Sequence, residues 1–235
     1  NQAPLADGEQ VLDLVARHPG TASYICTKLC RRLVADEPPA ALVQAAIDVW
    51  IAQQGAADQI KQVVRAILLS PEFAAAWGQK VKRPFELAAS FLRITEANAT
   101  PNTNLFNWLS EMGYRHFNWS PPTGHPDTAD DWLSTNVTLR RWNVVNTFFT
   151  KEFGAATLDM VAKTPAGATS RQIVAFWVER VLGRPLPERS VDVLIGLMRQ
   201  DAGPDVPPIG NAEDIRDRIN SLVALIAMTP EFQQR

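Results

Sequence analysis

Between Trp108 and Trp142 the chain concentrates side chains suited to chemistry: Tyr114, His116, Phe117, Trp119, His125, Asp127, Asp130, Asp131 and Trp132, with Arg141 close behind. Flat aromatic rings flanked by Asp, Asn and Arg suit a sugar, which offers an apolar face to a ring and hydroxyls to polar neighbours. On this reading His116, Trp119, His125, Asp127, Asp131, Trp132 and Arg141 form a ligand-binding set. Imidazole and carboxylates are also metal ligands and proton carriers. The spacing of His125, Asp127, Asp130 and Asp131 fits no metal-binding pattern, however, and no metal or other cofactor is expected. The competing account is structural, and it is the favoured one. A long non-helical crossover needs large aromatics to pin it to helices and prolines to limit its unfolded entropy. Asp127 would then close a turn with Pro126 and cap the short helix that follows.

No Gly-x-Ser-x-Gly elbow, His-Glu-x-x-His, phosphate loop or dinucleotide fingerprint occurs. Acid and base groups assembled from distant helices leave no local motif, so catalysis stays open and its residues unassigned. His18 precedes Pro19 at a helix boundary, where the residue before proline is pushed out of helical geometry, so its expected role is structural. Asn98, Asn118 and Asn136 each begin an Asn-x-Ser/Thr acceptor pattern, to which no role is assigned.

The elements that would position these residues read as helices. From Ser23 to Asp36 the residues Ile25, Cys26, Leu29, Leu33 and Val34 recur at helical spacing, with Lys28, Arg31 and Arg32 on the other face. Pro38 and Pro39 end that helix and open one carrying Leu42, Val43, Ala46, Ile47 and Trp50, which Gly55 closes. A third runs from about Asp58 to Leu68. Ser70 caps a fourth, with Pro71 and Glu72 in its first turn. Lys80 to Arg83 is a basic connector, expected to be solvated, and Pro84 opens a helix with Phe85, Leu87, Ala88, Phe91 and Leu92. From Asn98 to Asn136 only short helices are expected, near Asn104 to Met112 and Asp130 to Ser134. Longer helices are predicted for Val137 to Phe149, Ser170 to Leu182, Glu188 to Gln200 and Ala212 to Met228. No strand alternation appears.

Ile60 to Phe73 aligns without a gap on Ile219 to Phe232, and both strings end Ser/Thr-Pro-Glu-Phe. Two proline-broken helices precede each string. The fold class read from this is all-α: two related three-helix units, residues 1–98 and 137–235, joined by an aromatic- and proline-rich crossover at 99–136, the whole forming one compact domain. Ser70 and Thr229 are expected to act as equivalent hydroxyl caps.

A chain of 235 residues, 46% hydrophobic and 20% charged, can bury a sizeable core. A formal net charge of -2 supplies no electrostatic reason for a nucleic acid or an anionic membrane as partner. No apolar run reaches the length of a membrane span, since even Ile219 to Met228 makes only about three turns. Opening at Asn1 without a signal segment reads as a processed or excised piece of a longer precursor. Cys26 and Cys30 lie one turn apart on a predicted helix. Core packing is the leading reading, and a disulfide or redox pair the alternative.

Three stretches together carry a family resemblance. They are His18-Pro19 with Thr21-Ala22 and Lys28-Leu29-Cys30-Arg31-Arg32; Leu69-Ser70-Pro71-Glu72-Phe73 with Lys82-Arg83-Pro84-Phe85-Glu86; and Trp119-Ser120-Pro121-Pro122 through Gly124-His125-Pro126-Asp127 to Trp132-Leu133-Ser134. In content and order they resemble a bacterial family described as domain of unknown function 1800. The resemblance covers most of this chain and corresponds to the carboxy-terminal half of the family. It implies an exported, periplasmic or extracellular protein, a companion sulfatase-like family, and an amino-terminal half of the same precursor as a partner. It carries over no activity and no catalytic residue. His125 stands where the family pattern leads one to expect Tyr.

The leading functional expectation is a non-catalytic exported helical module that binds a partner protein or surface polysaccharide. The alternative is a polysaccharide-active hydrolase or lyase using the Trp119 to Trp132 loop, which requires an open groove beside that loop. A third is a scaffold for the amino-terminal half, which would expose a broad apolar patch.

Overall fold

A computed structural model describes residues 4–100, 102–149 and 158–235. Among these the regular structure is helical, with one isolated antiparallel bridge between Val81 and Gln234. The helices are α1 (Ala6–Arg17), α2 (Pro19–Leu33), α3 (Ala40–Ala52), α4 (Gln59–Leu68), α5 (Pro71–Ala75), α6 (Pro84–Ile94), α7 (Thr103–Glu111), α8 (Thr135–Thr147), α9 (Met160–Lys163), α10 (Ser170–Leu182), α11 (Glu188–Arg199), α12 (Ala212–Met228) and α13 (Pro230–Gln233). A single 3-10 turn, Ala129–Asp131, interrupts the stretch between α7 and α8. No described helix is long and apolar enough to cross a membrane.

Local chemistry explains the boundaries. His18 is extended, as the residue before a proline should be, and its Nδ1 accepts a hydrogen bond from Gly20 N at 3.0 Å to cap α2. A Cβ at Gly20 would lie 2.9 Å from that nitrogen, so the cap depends on glycine. The Glu86 carboxylate accepts from Arg83 N at 2.9 Å and closes the start of α6 behind Pro84. Thr169 and Asn211 cap α10 and α12 through their side-chain oxygens, and left-handed Gly183 ends α10. Helix α1, absent from the periodicity reading, has no buried residue.

The chain divides into two compact units, Asn1–Lys80 and Val81–Arg235. In the first, α2, α3 and α4 pack against one another around Ala22, Cys26, Cys30, Leu42, Ala46, Trp50, Val63 and Ile67. Lys80, at the end of the connector expected to be solvated, is buried and ion-paired with Asp36. Both cysteines are free and buried, and burial pushes each thiol up to about 11, with the neighbouring Cys30 adding to the shift at Cys26. At pH 8 only about one thiol in a thousand is then the reactive thiolate. Iodoacetamide should therefore leave both unlabelled in the native protein and alkylate both in urea, as read by mass spectrometry.

The second unit has the larger core. Leu87, Ala88 and Phe91 of α6 enter it, and this helix belongs to the unit that begins at Val81. Leu105, Leu109, Met112, Tyr114 and Trp132, from the stretch read as a crossover, belong to the same core. Helices α10, α11 and α12 pack against one another as α2, α3 and α4 do, and a short Pro-Glu-Phe helix follows each trio.

Within that parallel the two copies differ. Ser70 Oγ accepts from Phe73 N at 3.1 Å, whereas Thr229 Oγ1 donates back to Ile226 O at 2.8 Å, so the expected second hydroxyl cap is not formed. Val63 and Ile67 are buried, like their counterparts Leu222 and Ile226. Ile60 and Phe73 are exposed, while Ile219 and Phe232 are buried.

An aromatic groove as candidate functional site

The chain between α7 and the 3-10 turn folds back over α6 as a run of stacked rings. Phe85 of α6 stacks on His116 at 5.4 Å, and His116 meets Phe117 edge-on at 4.2 Å. Tyr114 stacks on His125 at 4.2 Å, and Trp119 lies 4.9 Å from the same imidazole. His125 is further fixed by a 3.1 Å hydrogen bond between Nε2 and the Arg115 carbonyl. A carbonyl only accepts, so Nε2 carries the hydrogen. Trp132 is buried beneath, its indole N–H donating to Pro126 O at 3.1 Å.

Beside these rings opens a groove of about 710 Å³, lined by Phe85, Leu105, Phe106, Leu109, His116 and Phe117, with Asn107, Ser110, Arg115 and Asn118 supplying polar groups. Its volume falls within the range of small-molecule sites, about 300–1,000 Å³. Buried Leu105 and Leu109 anchor α7 to the core, which turns Phe106 and Ser110, one position on, toward the groove. Phe117 is 96% exposed and sits at φ 56°, the left-handed region that a bulky side chain adopts only under constraint.

The residues singled out from sequence are dispersed. His116 lines the groove, and Trp119 and His125 belong to the ring stack supporting it. Asp127 pairs with Arg83 at 3.5 Å, and Asp131 accepts from the Thr128 hydroxyl at 2.8 Å. Trp132 is a core residue. Arg141 is also buried, on α8, where its Nε donates to Gln233 Oε1 at 2.6 Å. Among the described residues no group of three or more His, Cys, Asp or Glu is placed to hold a metal ion. Sequence reasoning missed Phe85, Phe106, Asn107, Ser110, Arg115 and Asn118. For Phe106 a signal existed, an aromatic one residue off the apolar stripe of a short helix.

No curated protein and no solved structure matches the chain. A family model described as "Protein of unknown function (DUF1800)" matches residues 1–234, which covers nearly the whole sequence and both units. The chain therefore belongs to the DUF1800 family.

Proposed function

We propose that this chain is a non-catalytic module that binds a surface polysaccharide in the groove of its second unit, in the extracytoplasmic setting the family resemblance implies. The observation carrying this reading is Phe117, an almost fully exposed aromatic held in a left-handed backbone conformation at the groove's edge. Left-handed geometry costs an L-residue roughly 1–2 kcal/mol, and the exposed ring returns to the fold little beyond its edge contact with His116. A sugar face stacked on Phe117, with Asn107, Ser110 and Asn118 reaching its hydroxyls, gives that arrangement a use. Among the described residues no carboxylate lines the groove, whereas glycoside hydrolysis ordinarily requires a pair of them.

Affinity electrophoresis through gels containing bacterial and plant polysaccharides tests this, with reducing and unsaturated ends assayed in parallel. At least one polymer should retard the protein without being cleaved. Phe117→Gly should weaken that retardation about tenfold, the loss of one aromatic contact of about 1–1.5 kcal/mol. The same substitution should leave the melting temperature unchanged or raised, because glycine removes the left-handed penalty. Cleavage products would make the chain an enzyme, and migration unaffected by every polymer would end the polysaccharide reading.

A further inference from the structure

We propose that the basic cluster of the second unit binds a tetrahedral oxyanion of the phosphate or sulfate class among Lys82, Arg141, Arg184 and Arg235. Four distant parts of the sequence meet on the last turn of the fold. Lys82 N donates to Gln233 O at 2.9 Å, beside the Val81–Gln234 bridge. Arg141 of α8 donates to the Gln233 side chain, and Arg184, just past the end of α10, donates to Glu231 O. Arg235 Nε lies 3.4 Å from Glu86 Oε2.

The observation that points to a ligand is Arg141. Its residue is 1% exposed, yet Nη1 has no hydrogen-bond partner, leaving a buried cationic donor unsatisfied. Such a group is ordinarily paired, because desolvating a charge without a partner is costly. The carboxylate closest to hand, Glu86, is already engaged by Arg83 through both its backbone N–H and its guanidinium. Lys82 reports the same surplus. Its Nζ sits 3.7 Å over the Phe232 ring, and burial, then Arg141 and Arg184, bring its ammonium down to about 8 against the opposing pull of Glu86, with Arg235 adding to the decrease. An oxyanion offers several acceptor oxygens at once, which suits guanidinium groups brought to the last turn of the fold by different elements.

The test is thermal unfolding of the intact chain in sodium phosphate, sodium sulfate and sodium chloride at matched ionic strength, together with acylation of Lys82 at pH 8 read by mass spectrometry. Phosphate or sulfate should raise the melting temperature saturably by several degrees over chloride and slow Lys82 acylation several-fold, since a bound anion restores the ammonium. Both effects should vanish in Arg141→Met, and the thermal effect should vanish in Lys82→Met. Should the buried Arg141 variant fail to fold, Lys82→Met, at a half-buried position, decides alone. Equal responses to all three salts, or an undiminished gain in Lys82→Met, would overturn the site. Competition by a sulfated polysaccharide at tenfold lower group concentration than inorganic sulfate assigns the anion to a polymer. Parity per group assigns it to a free ion.

Discussion

Replacing Trp177 with alanine is expected to lower unfolding free energy by about 3–5 kcal/mol, the range for deleting a buried tryptophan, with the urea midpoint falling accordingly. Trp177 has no exposed surface and lies in the second core, where Phe176 meets it edge-on at 5.2 Å. Its indole N–H donates to Thr164 Oγ1 at 3.0 Å, joining α10 to the end of α9. Two losses therefore combine, a cavity and one of the two hydrogen bonds of the Thr164 hydroxyl, which still donates to Met160 O. Trp177→Phe separates them: it refills most of the volume and should cost about 1–3 kcal/mol, nearer the value for one lost hydrogen bond plus a small void. Trp119→Ala is the control. That side chain is 37% exposed, and its removal should cost about 1 kcal/mol or less. Equal effects at the two tryptophans would contradict the packing described.

Arg218 should prove nearly as sensitive, for a different reason. It is buried on α12, and its guanidinium spans three carbonyls: Nη1 donates to Met198 O at 2.7 Å, Nε to Asp214 O at 3.3 Å, and Nη2 to Ile209 O. Met198 lies in the last turn of α11, whose carbonyls have no partners within the helix. Arg218→Met preserves much of the side-chain volume but strands the Met198 and Ile209 oxygens, at about 1–3 kcal/mol each. We expect a total loss of about 2–5 kcal/mol by urea denaturation. Arg218→Lys should recover little, because a single ammonium cannot reproduce the planar fork. Near-native stability in the lysine variant would show that the charge, rather than the donor geometry, holds this corner.

Much of the helical pattern could be read from the chain because its signals are local. Ser170–Leu182 and Ala212–Met228 have the expected bounds, since a cap or a breaker marks their ends. Periodicity shows which face of a helix is apolar and says nothing about which neighbour covers it. The stripe of α6 thus shows an apolar face but not that the core of the second unit covers it. Helix α1 carries Val11, Leu12, Leu14 and Val15 yet leaves them exposed, so its apolar residues do not report a core. The site was less legible. Phe117 is distinguished by a backbone angle, and Phe85 reaches the same groove from α6. Arg141 is fixed by Gln233, 92 residues away, beyond the reach of any local pattern.

The unequal burial of the two matched helix-and-corner segments sets how each can change over evolutionary time. At Val63 and Ile67, and at Leu222 and Ile226, both copies are closed to water, so polar replacements should be purged from either. Ile60 and Phe73 meet solvent, and drift there is cheap, whereas the same drift at Ile219 and Phe232 would open the larger core. Divergence between the copies should thus accumulate on one face of the first segment alone, so that sequence likeness fades there while the buried stripe of both still spells the same helix.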